Sequence, residues 1–164
     1  MLIKDAMSSE VVSCLARTSL QEIAILMWDN DCGAVPVVDD EQRPVGMVTD
    51  RDIAMAAALQ YKPLWELTAE NVSSNKEVIC CKASDGIADA LGLMQKFAVR
   101  RLPIINQYGQ LTGILSMGDI LSFTQAARSR AKKTSNSNID ASEVMGFLKH
   151  VSGHHKAHKV MQAG

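Results

Sequence analysis

The first 125 of this chain's 164 residues contain no histidine, so the side chain best suited to proton transfer near neutral pH is missing from that stretch. Catalysis needs a nucleophile, a base and an orienting group in one pocket, and no catalytic residue is expected. Cysteine is sparse: Cys14, Cys32, Cys80 and Cys81 show no Cys-x-x-Cys spacing. Reduced, packed thiols fit that set better than disulfides or a zinc shell. The aspartates match no calcium-loop spacing, so no metal site is expected either. Aromatic residues make up only 4% of the chain, and none interleaves with the basic run Arg128 to Lys133, so nucleic acid is not an expected partner. No apolar run approaches the ~18 residues that a membrane span needs. The start, Met1-Leu2-Ile3-Lys4-Asp5, lacks the long apolar region and cleavage site of a signal peptide. A cytoplasmic protein without a membrane partner is expected.

What is present is a globular composition, 47% apolar, in a chain long enough for one or two cores. The net charge of −1 hides a division. Residues 1–125 carry 10 Lys/Arg against 16 Asp/Glu, while residues 126–164 carry 7 against 2. An acidic body precedes a basic tail. All four histidines (His150, His154, His155, His158) lie in that tail. His154 and His158 have the i,i+4 spacing of a helical metal pair, but no carboxylate or cysteine stands close enough to complete a shell. A solvated tail is the reading they support.

The body is organised around Gly113-Ile114-Leu115-Ser116-Met117-Gly118-Asp119, a short apolar strand that ends in a hydroxyl and, three residues later, a carboxylate. A helical run follows (Ile120, Leu121, Phe123, Thr124). Taken alone, Ser116 and Asp119 have two readings. One is a local helix cap. The other is a polar opening where the carboxylate accepts two ribose hydroxyls while the unpaired N–H groups and Ser116 face an anion. Sixty-seven positions earlier stands Gly46-Met47-Val48-Thr49-Asp50-Arg51-Asp52, with glycine, hydroxyl and aspartate at matching places. Without a gap, the same offset pairs Cys14 with Cys81, Leu26-Met27 with Leu93-Met94, Pro36 with Pro103 and Asp52-Ile53 with Asp119-Ile120. An ungapped repeat means two copies of one supersecondary unit. Two copies about a pseudo-twofold axis give each carboxylate a partner, which favours the functional reading.

Each copy reads as β-α-β-β-α. Strands are expected at Val11–Cys14, Ala34–Val38 and Val45–Val48, with helices from Leu20 and over Asp50–Leu59. The second copy follows with strands Val78–Cys81, Leu102–Ile105 and Leu111–Leu115, and helices over Asp85–Phe97 and from Met117. The fold class is therefore α/β (α+β). Its expected divisions are residues 1–60, a connector 61–76 with Trp65 as a packing residue, residues 77–127, and a basic tail 128–164. In that tail a polar break (134–138) precedes an Asp140–Glu143 capping pair and an amphipathic run, Val144, Phe147, Leu148 and Val151.

The doubled unit, with proline in each middle strand and Gly-x-x-Thr/Ser-x-x-Asp after it, resembles a pair of CBS domains (a Bateman module) over about residues 1–125. That resemblance implies a regulatory, non-catalytic protein whose cleft binds an adenosine-containing ligand: AMP, ADP, ATP or S-adenosylmethionine, with no cofactor required. It implies a first site with Ser116 and Asp119 on ribose and phosphate, Arg100 and Arg101 on phosphate, and Met7, Val12 and Cys32 beside adenine. The implied second site has Thr49 and Asp52, with Ile79 and Val99 beside adenine and Arg51 supplying charge from another position. Gly33-Ala34 stands there in place of the arginine pair. A charge-assisted bond to phosphate contributes about 1.5–3 kcal/mol, so AMP or ADP is expected to prefer the Asp119 site. A homodimer through the apolar helix faces (Leu20, Ile23, Met27, Leu91, Met94) and an effector protein that reads the ligand are also expected. The rival is a constitutive scaffold with empty sites.

Overall fold

The computed structural model of the protein describes residues 1–73, 78–123 and 146. The first copy runs β1 (Cys14–Leu15), α1 (Leu20–Asp29), β2 (Ala34–Val38), β3 (Pro44–Thr49) and α2 (Asp50–Gln60). A short 3-10 turn (Leu64–Glu66) and α3 (Ala69–Ser73) lead to the second copy. That copy runs β4 (Cys81–Lys82), α4 (Ile87–Phe97), β5 (Arg101–Ile105), β6 (Leu111–Ser116) and a helix, α5, over residues 117–123. Each copy forms its own three-stranded sheet, in the order β1-β2-β3 or β4-β5-β6. In each, the first pair is parallel and the second antiparallel, with the register slipping at Val37/Val38 and at Ile104/Ile105. The readings made for the basic run, the capping pair, the amphipathic run and the histidines lie outside the described residues.

Local chemistry explains these elements. Ser19 caps α1: its hydroxyl accepts from the Glu22 N–H at 3.2 Å, and the Glu22 carboxylate accepts from the Ser19 N–H at 3.0 Å. Leu20, Ile23 and Met27 then fall on one buried face. The middle strand β2 is apolar and buried along its whole length, as a strand covered on both faces must be. The two hairpin turns are copies in detail. The Asp39 carboxylate accepts from the N–H groups of Glu41 and Arg43, and the Asn106 side chain accepts from those of Tyr108 and Gln110. The left-handed residues Gln42 (φ 64°) and Gly109 (φ 82°) stand at equivalent places.

The first strand of each copy is shorter and later than the sequence suggests. Residues 11–13 and 78–80 carry no ladder, and only Cys14–Leu15 and Cys81–Lys82 pair. An apolar run reads alike whether it meets a sheet neighbour or a cavity wall, and here the valines of 11–12 and 78 are wall. Helix α4 begins at Ile87 rather than Asp85, because the Asp85 carboxylate instead accepts from the Lys82 N–H at 2.7 Å.

Core membership crosses between copies. Ile3, fully buried, packs with Cys81, Ile87, Met94, Leu102 and Leu115 of the second copy. Leu67 and Ala69 pack with Leu20, Ile23, Val35 and Val48 of the first. The tethers are counterparts. Ile3 and Lys4 donate to the carbonyls of Asp85 and Ala83, as Ala69 and Glu70 donate to those of Thr18 and Ala16, at 2.9–3.0 Å.

Two expectations fail. Trp65 is 67% exposed and packs in neither core, since Leu64 and Leu67 beside it take the inward positions of that short turn. The five residues assigned to a dimer face are all buried within the chain's own cores. Their helical periodicity marks the face on the sheets. On the outer sides of α1 and α2 the exposed large apolar side chains are Ile25 and Trp28, and Met55 and Leu59.

Candidate ligand-binding cavities

Each Ser/Thr–Asp pair stands where an antiparallel strand passes directly into a helix. Thr49 ends β3 and caps α2. Its N–H and hydroxyl donate to Asp52 Oδ2 at 2.9 and 2.7 Å, and its Oγ1 accepts from the Asp52 N–H at 3.2 Å. Ser116 and Asp119 repeat this with 2.7, 2.6 and 3.2 Å. Asp119 Oδ1 also accepts from the Ser8 hydroxyl at 3.4 Å. The cap reading and the opening reading are therefore compatible: one carboxylate oxygen closes the helix, and both pairs are half-buried at the edge of a cavity.

The two cavities have volumes of about 410 and 520 Å³, within the roughly 300–1,000 Å³ range of small-molecule sites. The first is lined by Ser116 and Asp119 of the second copy and, from the first, by Val11, Val12, Cys32 and Gly33. The second is lined by Thr49 and Asp52 of the first copy and, from the second, by Val78, Ile79, Val99 and Arg100. These sets correspond one to one under the 67-residue shift. The correspondence extends to Asn30-Asp31 and Phe97-Ala98, and to Ile114 and Met47. Asp31 (φ 47°) and Ala98 (φ 54°) share a left-handed backbone, which turns the chain out of the helix and along the cavity. Ala34 and Arg101, themselves equivalent, line both cavities, as residues near a pseudo-twofold axis should.

Each cavity thus combines the strand-to-helix corner of one copy with the pre-strand segment of the other. Ser116, Asp119, Val12, Cys32 and Arg101 line one cavity, and Thr49, Asp52, Ile79 and Val99 line the other. Arg100 does not join Asp119. It lines the Asp52 cavity, because the residues just before β5 face the corner of the opposite copy. Met7 packs beneath β6, its Sδ 3.3 Å from where a Cβ on Gly113 would lie, rather than on the first cavity's wall. Arg51 is exposed on α2 and lines neither cavity. Sequence reasoning passed over Ser8, Glu10, Asp31 and Phe97. Asp31 and Phe97 were within its reach, because they stand one and two residues before Cys32 and Val99, which pair under the repeat.

The thiols are packing groups. All four cysteines are free, and burial raises Cys14, Cys80 and Cys81 to about 11, with the Asp85 and Asp89 carboxylates adding to the rise at Cys81. Among the described residues no group of three or more His, Cys, Asp and Glu side chains could hold a metal ion, and no helix is long and apolar enough to cross a membrane.

Two β-α-β-β-α copies facing one another across a pair of equivalent cavities define a tandem-repeat module. A family model for the CBS domain matches the chain twice, over residues 3–59 and 69–125, and the chain belongs to the CBS-domain family. Over 118 residues it is 35% identical to the CBS domain-containing protein YhcV of Bacillus subtilis, a span that covers 72% of this chain and 81% of that protein. The CBS domain pair of protein MJ0100, in complex with 5′-methylthioadenosine and S-adenosyl-L-methionine, superposes with a TM-score of 0.67 at 26% identity. The match covers 76% of this chain and 99% of that one. CBSX2 in complex with AMP shares the fold, with a TM-score of 0.67 at 22% identity over 77% of this chain and 98% of that chain.

Proposed function

We propose that the protein is a regulatory sensor that binds an adenosine-containing ligand between its two CBS repeats and passes the change to a partner protein. The observation that carries this reading is the pair of symmetry-related cavities, each setting a half-buried aspartate and hydroxyl against an apolar strip. The aspartate suits two ribose hydroxyls, and the strip suits adenine. The complex of MJ0100 with methylthioadenosine and S-adenosylmethionine supports the ligand class. A ligand gripping both copies favours the relative orientation that fits it best, and a partner responds to that population. Calorimetric titration with AMP and with S-adenosylmethionine tests the reading. Saturable heat from at least one, reduced by Asp119→Ala or Asp52→Ala, is expected; no heat from either opposes it.

The scaffold reading rests on the caps, since Ser116 donates its hydroxyl to Asp119 at 2.6 Å and closes the helix through the chain's own groups. Full function with both aspartates replaced by asparagine would favour it. For assembly, the exposed Ile25, Trp28, Met55 and Leu59 of the neighbouring helices α1 and α2 are the proposed homodimer face. Sedimentation of Leu59→Glu as a monomer beside a dimeric parent is expected, and two identical profiles would remove the proposal.

A further inference from the structure

The two cavities match in shape but not in charge. At two equivalent wall positions the first cavity has Asp31 and Gly33 where the second has Ala98 and Arg100. This is a difference of two charge units at matched, described places. Arg101 is common to both linings, so the two cavities differ in charge at Asp31/Ala98 and Gly33/Arg100. The Arg101 Nη2 stands 3.5 Å from where a Cβ on Gly33 would lie, which leaves one guanidinium beside the first-cavity wall. Glu10 also lines the first cavity; its counterpart under the 67-residue shift, Glu77, lies outside the described residues, and the difference in charge rests on Asp31 and Arg100. The second cavity keeps one carboxylate, Asp52, among its described lining residues, and its remaining wall is mostly apolar.

We propose that the two cavities are sorted by ligand charge. The Asp52 cavity takes the phosphate-bearing ligand through Arg100, and the Asp119 cavity takes an adenosine ligand whose 5′ group is uncharged or cationic, such as a thioether or a sulfonium. The proposal rests on the adenosine reading above, refines it, and reverses the order of preference that the arginine pair suggests in the sequence. A guanidinium offers a fork of donors to a phosphate. A phosphate in the first cavity would face the Asp31 and Asp119 carboxylates on its wall, where like charges repel. A sulfonium would meet the same carboxylates with the opposite sign.

The test is a set of amide-resolved NMR titrations of the full chain with inorganic pyrophosphate, AMP and 5′-methylthioadenosine. Pyrophosphate and AMP should shift residues 49–52 and 98–100 at concentrations that leave 31–33 and 116–119 unmoved, while methylthioadenosine should move 31–33 and 116–119. Arg100 is exposed and outside both cores, so Arg100→Ala will fold. It should weaken pyrophosphate by about tenfold or more, and Asp31→Ala should strengthen anion binding at the first cavity. Pyrophosphate shifts that appear first at 116–119, or at neither site, or that survive Arg100→Ala unchanged, overturn the sorting. If pyrophosphate behaves as expected and neither nucleoside binds, the adenosine reading falls and the charge sorting stands. If AMP binds at 116–119, the sorting falls and the adenosine reading stands.

Discussion

Ile3 precedes the first copy's sheet in the chain, yet it is fully buried in the second core. Replacing it with alanine removes three carbons from that core. At about 0.8 kcal/mol per buried methylene the transfer loss is near 2.4 kcal/mol, and the cavity left behind brings the total to roughly 3 kcal/mol, inside the usual range of 2–5. The backbone tethers from Ile3 to Asp85 and from Lys4 to Ala83 do not depend on the side chain, so the segment should stay docked and leave a true cavity. For a chain of this size about 3 kcal/mol corresponds to a Tm lower by about 6–12 °C. Urea and thermal unfolding followed by circular dichroism at 222 nm would measure both quantities. Leu2→Ala, at a position 37% exposed, is the control and should stay within about 1 kcal/mol of the parent. If Ile3→Ala unfolds within about 0.5 kcal/mol of the parent, in the range of ordinary surface changes, the interlocked core is wrong.

Other consequences follow from single contacts. A Cβ on Gly113 would stand 2.6 Å from the Ser8 carbonyl oxygen, so Gly113→Ala must push the N-terminal segment off β6. It should cost about 1–3 kcal/mol and weaken ligand binding in the first cavity with little change in the second; equal effects on both would contradict the placement. Ala98 holds a left-handed backbone, φ 54°, which costs a non-glycine residue about 1–2 kcal/mol. Ala98→Gly should therefore raise the unfolding free energy by a net ~0.5 kcal/mol, after the extra freedom of the unfolded chain is subtracted, and the urea midpoint with it; a lower midpoint would oppose this. Burial raises the thiols of Cys14, Cys80 and Cys81 to about 11. A raised acid holds its proton longer in the folded state, so its stabilisation is complete below pH about 8.5, the unfolded value, and is lost as pH rises towards 11. The urea midpoint should fall between pH 9 and 11, and fall less in Cys14→Ala/Cys81→Ala; identical slopes would contradict it.

The repeat made most of the fold legible, because one ungapped offset carries strands, turns and caps together. The Asp39 and Asn106 turns, the Pro36 and Pro103 strands and the two Thr/Ser–Asp corners all sit where a shift of 67 puts them. Three kinds of feature were not legible. Periodicity shows that Leu20, Ile23 and Met27 share a face but not what covers it, and the chain's own sheet covers it. An apolar run does not say whether it pairs, so Val11, Val12 and Val78 read as strand when they are cavity wall. The destination of Arg100 depends on how the copies face one another. A sequence repeat fixes which positions are equivalent, but the packing of the copies decides that residues before β5 meet Thr49 and Asp52 rather than Ser116 and Asp119.

The most direct test of the sensor account is thermal unfolding with AMP, ADP, ATP or S-adenosylmethionine, on the parent and on Asp52→Ala, Asp119→Ala and the double variant. A ligand at a hundredfold excess over Kd stabilises a single site by about 2.7 kcal/mol, or roughly 5–10 °C for this size. Such a shift is expected with at least one adenosine ligand, reduced in one single variant and lost in the double. No shift with any of the four, or an undiminished shift in the double variant, would contradict it.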